Sequence, residues 1–198
     1  FLDLTLISWS YGRSMTHWKV VFGSIGTFGV SFLIMNFLLR WRTPFIFAGA
    51  ILLLVLREIL LIHDPIDPST FFGVLYGVFW APVKTEHWST LFTVLSWLPI
   101  IMIGFCFGKS LQTSRKLLTP EYSLALCTSL LAVFSLFRLF VPFGSLGLPL
   151  PKTFVQVLQL DKYPASIHFH LLNLGFAFFY LFVAAAYFSK PGFTGVRL

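Results

Sequence analysis

The chain has 198 residues, of which 57% are hydrophobic and 11% charged, with a formal charge of +7. That balance excludes an ordinary soluble domain, whose charged share is about 25%, and 25 phenylalanines suit a lipid-facing surface better than a core of this size. The positive excess reads as Lys and Arg at membrane edges, and no basic run is interleaved with aromatics as nucleic-acid modules require, so nucleic acid is not an expected partner.

The opening stretch FLDLTLISWSYG reads as the tail of a helix that began earlier. It lacks the basic, apolar and cleavage regions of a signal peptide. The expectation is a single membrane domain over residues 1–198, the C-terminal part of a longer multi-span protein.

A spanning helix needs roughly 20 apolar residues. Val20–Leu39 is the first such run, bounded by Lys19 and by Arg40 and Arg42. Thr43–Ile62 is the second and carries Arg57 and Glu58 near its end. Phe71–Val83 is shorter, contains Gly73 and Gly77, and has Pro82 near its end, so it reads as re-entrant or interfacial. Trp88–Gly108 follows and is stopped by Lys109; Tyr122–Val141 carries Arg138 in its last turn; Pro164–Phe188 is the longest run. The predicted fold is all-α: a polytopic transmembrane helix bundle with about five spans plus one re-entrant or interfacial segment.

Five crossings put Arg40, Arg42, Lys109, Arg115, Lys116, Lys190 and Arg197 on one side. Arg13, Lys19, Lys84, Lys152 and Lys162 fall on the other, diluted by Asp64, Asp67, Glu86 and Asp161. The first side is expected to be cytoplasmic, and the C-terminus with it. His17, His63, His87, His168 and His170 gather on or near the second side, as do Arg57, Glu58 and Arg138 by their depth. Cys106 and Cys127 lie in apolar runs and do not suggest a disulfide framework.

The last run opens LDKYPASIHFHLLNLG. Pro164 suits a first helical turn, and Tyr163 before it is pushed out of helical geometry. The helix is therefore expected to start there, with its positive dipole end near Tyr163 and Lys162. Ser166, His170 and Asn173 follow at i, i+4 and i+7 and so share a face, while His168 points elsewhere. Two readings stay open: a polar stripe lining a substrate cavity with a cationic rim, or hydrogen bonding between helices. No metal site is expected, because His168 and His170 are not four residues apart and no carboxylate partner is fixed by the sequence. Arg57 and Glu58 either mark function inside the span or snorkel to its edge. Asn36 reads as a helix-packing residue. In WLPIIMIGFCFGK, Gly104 and Gly108 are spaced for close helix approach, and Pro99 is expected to bend the helix. GSIG at Gly23–Gly26 lacks the Lys-Ser/Thr ending of a phosphate loop, and no G-x-S-x-G elbow is present.

At these residues the chain resembles the heparan-α-glucosaminide N-acetyltransferase catalytic domain family. LSWLPIIMIGFCFGK is similar to its Leu-Pro-Trp-Leu-Gly and Leu-Gly-Tyr-x-x-Gly-Arg stretch, placing Trp97, Gly104 and Gly108 on that motif. LQLDKYPASIHFHLLNLG is similar to its Asn-x-x-Lys-Tyr-Pro-Pro-Ser-Leu signature, placing Lys162, Tyr163, Pro164 and Ser166 on it. VVFGSIGTFGVSFLI is a looser match to an earlier helix. The resemblance covers roughly Val20 to Phe188. Ala165 replaces the second proline, Gln159 or Leu160 stands where the Asn belongs, and Pro99 stands where Gly is usual. The family's opening helix, with its Asp-x-x-Arg-Gly-like motif, and its catalytic His have no counterpart here.

The resemblance implies a bacterial inner-membrane enzyme that passes an acyl group from cytosolic acetyl-CoA or another acyl-CoA to a sugar amine or hydroxyl, with no permanently bound cofactor. Lys162, Tyr163 and Ser166 would line the acceptor mouth. The reading of the polar residues adds His170, Arg57 and Glu58 to this set. Arg40, Arg42, Lys109, Arg115 and Lys116 would meet the CoA phosphates. No catalytic residue is assigned within these residues. Membrane lipid, acyl-CoA, a glycan or sugar acceptor and a second copy of the chain are the expected partners. The alternative is a non-enzymatic membrane protein: a transporter, or a helical subunit that binds lipid or glycan. A transporter usually shows paired repeats with matching broken helices, and only Phe71–Pro82 is a candidate break.

Overall fold

The computed structural model describes residues 20–60, 67, 69–140, 157, 160 and 165–188. The chain divides into two compact units, one of Phe1–Cys106 with Asp161–Ile167, the other of Phe107–Leu160 with His168–Leu198.

The first unit opens with a strand, β1 (Val20–Phe22), which pairs in parallel with β2 (Trp88–Thr90). Val21 faces Ser89 in this register, and Leu91 N–H donates to the Phe22 carbonyl at 3.2 Å. The described residues are mostly helical, as expected, and this short two-stranded sheet is an addition to that expectation. Val20 and Val21 are β-branched and favour extended backbone. Around β2, the Thr85 and Thr90 hydroxyls bond backbone groups that a helix would otherwise use: Trp88 N–H donates to Thr85 Oγ1 and Val83 N–H to Thr90 Oγ1. Two expected spans therefore begin late. Helix α1 runs Ser24–Leu38, not from Val20, and helix α4 runs Val94–Thr113, not from Trp88.

Between them, α2 (Thr43–Leu60) has Pro44 in its first turn, where a missing N–H costs nothing. Helix α3 (Phe71–Phe79) has nine residues. At about 1.5 Å per residue it is too short to cross a bilayer. Thr70 caps it by accepting the Gly73 N–H at 3.0 Å. The core of this unit joins Met35, Ile46, Ala50, Val94, Leu98, Met102 and Cys106.

In the second unit, a short 3-10 turn at Arg115–Leu118 leads into α5 (Pro120–Phe140). Helix α6 (Ile167–Phe188) belongs to this unit from His168 onward. Gly175 packs so closely on Leu131 that an added Cβ would lie 2.7 Å from Leu131 Cδ2. By contrast, added Cβ atoms at Gly104 and Gly108 meet nothing within 4 Å. Among the described residues these two glycines do not mediate the close helix approach that their spacing suggested.

Three helices, α4, α5 and α6, are long and apolar enough to cross a membrane, consistent with an integral membrane protein. Helix α1 is apolar but has only 15 residues, roughly 22 Å. Phe32, Leu33, Phe37, Phe45, Leu52, Leu136, Phe140 and Tyr180 stand exposed along the helices. Water penalises such a surface, and lipid does not.

Candidate functional site

Helix α2 turns Ile46, Ala50 and Leu54 inward, and the same stripe continues through Arg57 and Glu58. Spacings of three and four residues keep them on one face. The pair is consequently buried, with Arg57 2% and Glu58 7% exposed, and does not snorkel to the helix end. Removing two charges from water costs several kcal/mol per ion unless they are paired and hydrogen-bonded. Arg57 donates from Nη1 to Glu58 Oε1.

The same carboxylate oxygen accepts a second bond. Ile167 N–H donates to Glu58 Oε1 at 3.1 Å, across 109 residues of sequence. Ile167 is the first residue of α6, and the first N–H groups of a helix have no partner within it. A carboxylate there satisfies one such donor and sits favourably at the positive end of the helix dipole. Ala165 and Ser166, just before the helix, are both buried.

This geometry changes the polar stripe. Ser166 precedes the helix, so it does not stand one turn below His170 on a helical face. Asn173 is exposed, and its amide turns back to the Phe169 carbonyl at 2.7 Å. The three expected members therefore do not form one inward row. His168 and His170 are both buried in the second unit, with the His170 ring edge-on to Phe169. That unit also buries Arg138, whose Nε donates to the Val157 carbonyl at 3.4 Å.

Lys162, Tyr163 and Pro164 lie outside the described residues. Of the expected acceptor-site residues, Arg57, Glu58 and Ser166 come together in the first unit, and His170 belongs to the second. Arg40 and Arg42 are exposed in the first unit, flanking exposed Trp41 in the turn between α1 and α2. Lys109 and Lys116 are exposed in the second unit, where Arg115 opens the 3-10 turn. Among the described residues no three His, Cys, Asp or Glu side chains group to hold a metal.

Sequence reasoning missed a buried hydroxyl network in the first unit. Thr27 Oγ1 lies 3.0 Å from the Gly23 carbonyl and 2.9 Å from the Phe92 carbonyl. Thr93 and Ser96 share a 2.7 Å hydrogen bond, and all three residues are fully or almost fully buried. The signal was the density of hydroxyls in STLFTVLS, Ser89–Ser96, at the head of a stretch taken as purely apolar.

Comparison with protein-family models, with curated proteins and with solved structures finds no match to this chain.

Proposed function

We propose that the chain is part of a membrane-embedded acyltransferase that moves an acetyl or longer acyl group from acyl-CoA to an amine or hydroxyl of a sugar or glycan. The observation that carries this reading is the stretch LDKYPAS, which resembles the family signature. Its last two residues are buried immediately before a helix start held by a buried carboxylate. A serine buried at that point suits a site better than it suits a loop.

Acyl transfer needs a base to activate the acceptor and donors for the developing oxyanion. In this reading Lys162, Tyr163 and Ser166 supply donors at the acceptor mouth, with His170 as a further polar group. Glu58, paired with Arg57, holds the backbone there and positions the mouth rather than binding the sugar. Arg40, Arg42, Lys109, Arg115 and Lys116 supply positive charge for the CoA phosphates. The same reading expects five spans, a bacterial inner membrane and a cytoplasmic C-terminus.

The test uses the natural full-length protein in proteoliposomes, supplied with labelled acetyl-CoA and amino-sugar or hydroxyl acceptors. Labelled acceptor is the expected product. Lys162→Ala should lower kcat/KM at least tenfold, about 1.4 kcal/mol of transition-state stabilisation, with an unchanged melting temperature. No transfer to any acceptor class, or solute uptake without transfer, would replace the enzyme reading with the transporter one.

A further inference from the structure

We infer that Glu58 is a positioning residue: its carboxylate fixes where α6 begins, and so fixes the backbone that presents Ser166. The positioning itself stands on geometry alone, while its consequence for acceptor binding rests on the acyl-transfer reading above.

Glu58 is buried and engaged on two sides, by the Arg57 guanidinium and by the Ile167 N–H. The latter bond joins helices far apart in sequence at the first residue of α6. The first turn of that helix, Ile167–His170, carries no acidic side chain. Helix α2 supplies the missing negative group from elsewhere in the chain. Its lower stripe, Ile46, Ala50 and Leu54, is packed in the interior and holds Glu58 at a fixed height. The bond therefore sets the register at which the chain enters α6, and Ser166 is the residue immediately before that point.

Arg57 has a different part. It offsets the cost of placing a carboxylate in an apolar interior, through its bond to Glu58 Oε1. The two roles separate by mutation. In Arg57→Met/Glu58→Gln both charges are gone, but an amide oxygen of the same reach still accepts the Ile167 N–H. In Arg57→Met/Glu58→Leu both charges and the acceptor are gone, at similar volume. Neither chain contains an unpaired charge from this pair, so their difference reports the side-chain amide at position 58, whose oxygen is the acceptor for Ile167 N–H.

Hydrogen–deuterium exchange on the full-length protein in bilayer discs reads the helix start directly. The Glu58→Leu double variant should exchange at least tenfold faster across residues 166–169 than the Glu58→Gln double variant, with matched melting temperatures. Acceptor KM should rise about tenfold in the former, with acyl-CoA KM and kcat unchanged. A split in exchange, with no acyl transfer by any form including wild type, would keep the positioning role and remove the acyltransferase reading. Identical exchange in the two double variants overturns the positioning role. So does a Glu58→Leu double variant that cannot fold while its counterpart does, because Glu58 would then serve folding rather than placement.

Discussion

The two units start their helices by different means. In the first, β1 passes through Gly23 into α1, and β2 passes through Leu91–Thr93 into α4, so both helices follow paired backbone. The first N–H of α6 goes to a side chain from α2. In the second unit α5 starts at Pro120 behind Thr119, whose carbonyl accepts the Ser123 N–H. Hydroxyls along α5, at Thr128 and Ser135, fold back onto carbonyls of their own helix. The first unit uses polar groups to join segments; the second satisfies the α5 hydroxyls locally and joins α5 to Val157 through Arg138. A bilayer core offers no water to backbone groups, so both solutions meet the same demand. Bonds of the joining kind, unlike the local ones, make one segment's position depend on another's.

The sharpest way to break that contrast is to remove one member of the joining pair. Arg57→Met alone leaves Glu58 buried without the Arg57 guanidinium, and the expected loss is about 3–5 kcal/mol. Removing both charges in the Glu58→Gln double variant should recover most of it, since no buried charge is then left without its partner. Reversible unfolding in detergent, compared across the two variants, measures this. A loss below about 1 kcal/mol for the single variant would mean that water reaches the pair.

The glycines sharpen the contrast at a smaller scale. A Cβ at Gly77 would lie 3.0 Å from Val83 Cβ and 3.2 Å from Thr90 Oγ1, both anchored close to backbone. At Gly175 the first clashes are nominally worse, 2.7 Å from Leu131 Cδ2 and 3.0 Å from Leu131 Cγ, but both atoms move when that side chain changes rotamer, as Val83 Cβ cannot. Gly77→Ala should therefore cost about 1–3 kcal/mol through overpacking beside β2. Gly175→Ala should cost less than about 1 kcal/mol, because the helix gains roughly 1 kcal/mol when Gly becomes Ala. Gly104→Ala, which meets nothing, should be neutral or stabilising. The three melting temperatures rank these outcomes, and a larger loss at Gly175 than at Gly77 would refute the rigidity argument.

Apolar length in the sequence marked every long helix among the described residues, because lipid contact demands side chains that composition records directly. It also marked Phe71–Val83 as too short to cross, and Arg57, Glu58 and Ser166 as polar residues of interest. It misplaced the starts of α1 and α4, since Val20–Phe22 and Trp88–Thr90 directly adjoin the apolar runs of those helices yet pair as strands across 68 residues. Such pairing leaves no periodic trace in three residues. The Ser166, His170 and Asn173 row failed for a related reason. Spacing predicts a common face only once the helix start is known, and that start is held by Glu58 from α2. The Gly104 and Gly108 spacing likewise said that close approach is allowed, not that another helix is there.

The smallest effect expected belongs to the connection before α3, where the capping is local and titratable. Asp67 accepts from the Ser69 backbone N–H at 2.9 Å and from the Ser69 hydroxyl at 2.8 Å. These bonds favour its charged form, so its carboxyl lies below the usual 3.8, despite a small opposing push from desolvation. The Asp67 carbonyl meanwhile accepts the Thr70 hydroxyl, whose oxygen receives the Gly73 N–H at the helix start. A carboxylate with a lowered folded pKa stabilises fully above its unfolded value and loses that contribution as pH falls through the folded one. The cap on α3 should therefore hold constant above pH 3.8 and loosen only in more acidic solution. Amide exchange at Ser69 and Gly73, corrected for its intrinsic pH dependence, would show protection falling in that window. Asp67→Asn keeps an acceptor but cannot titrate there, so its corrected protection should be flat with pH. A wild-type curve equally flat below pH 3.8 would mean that the Asp67 side chain plays no part in holding the turn.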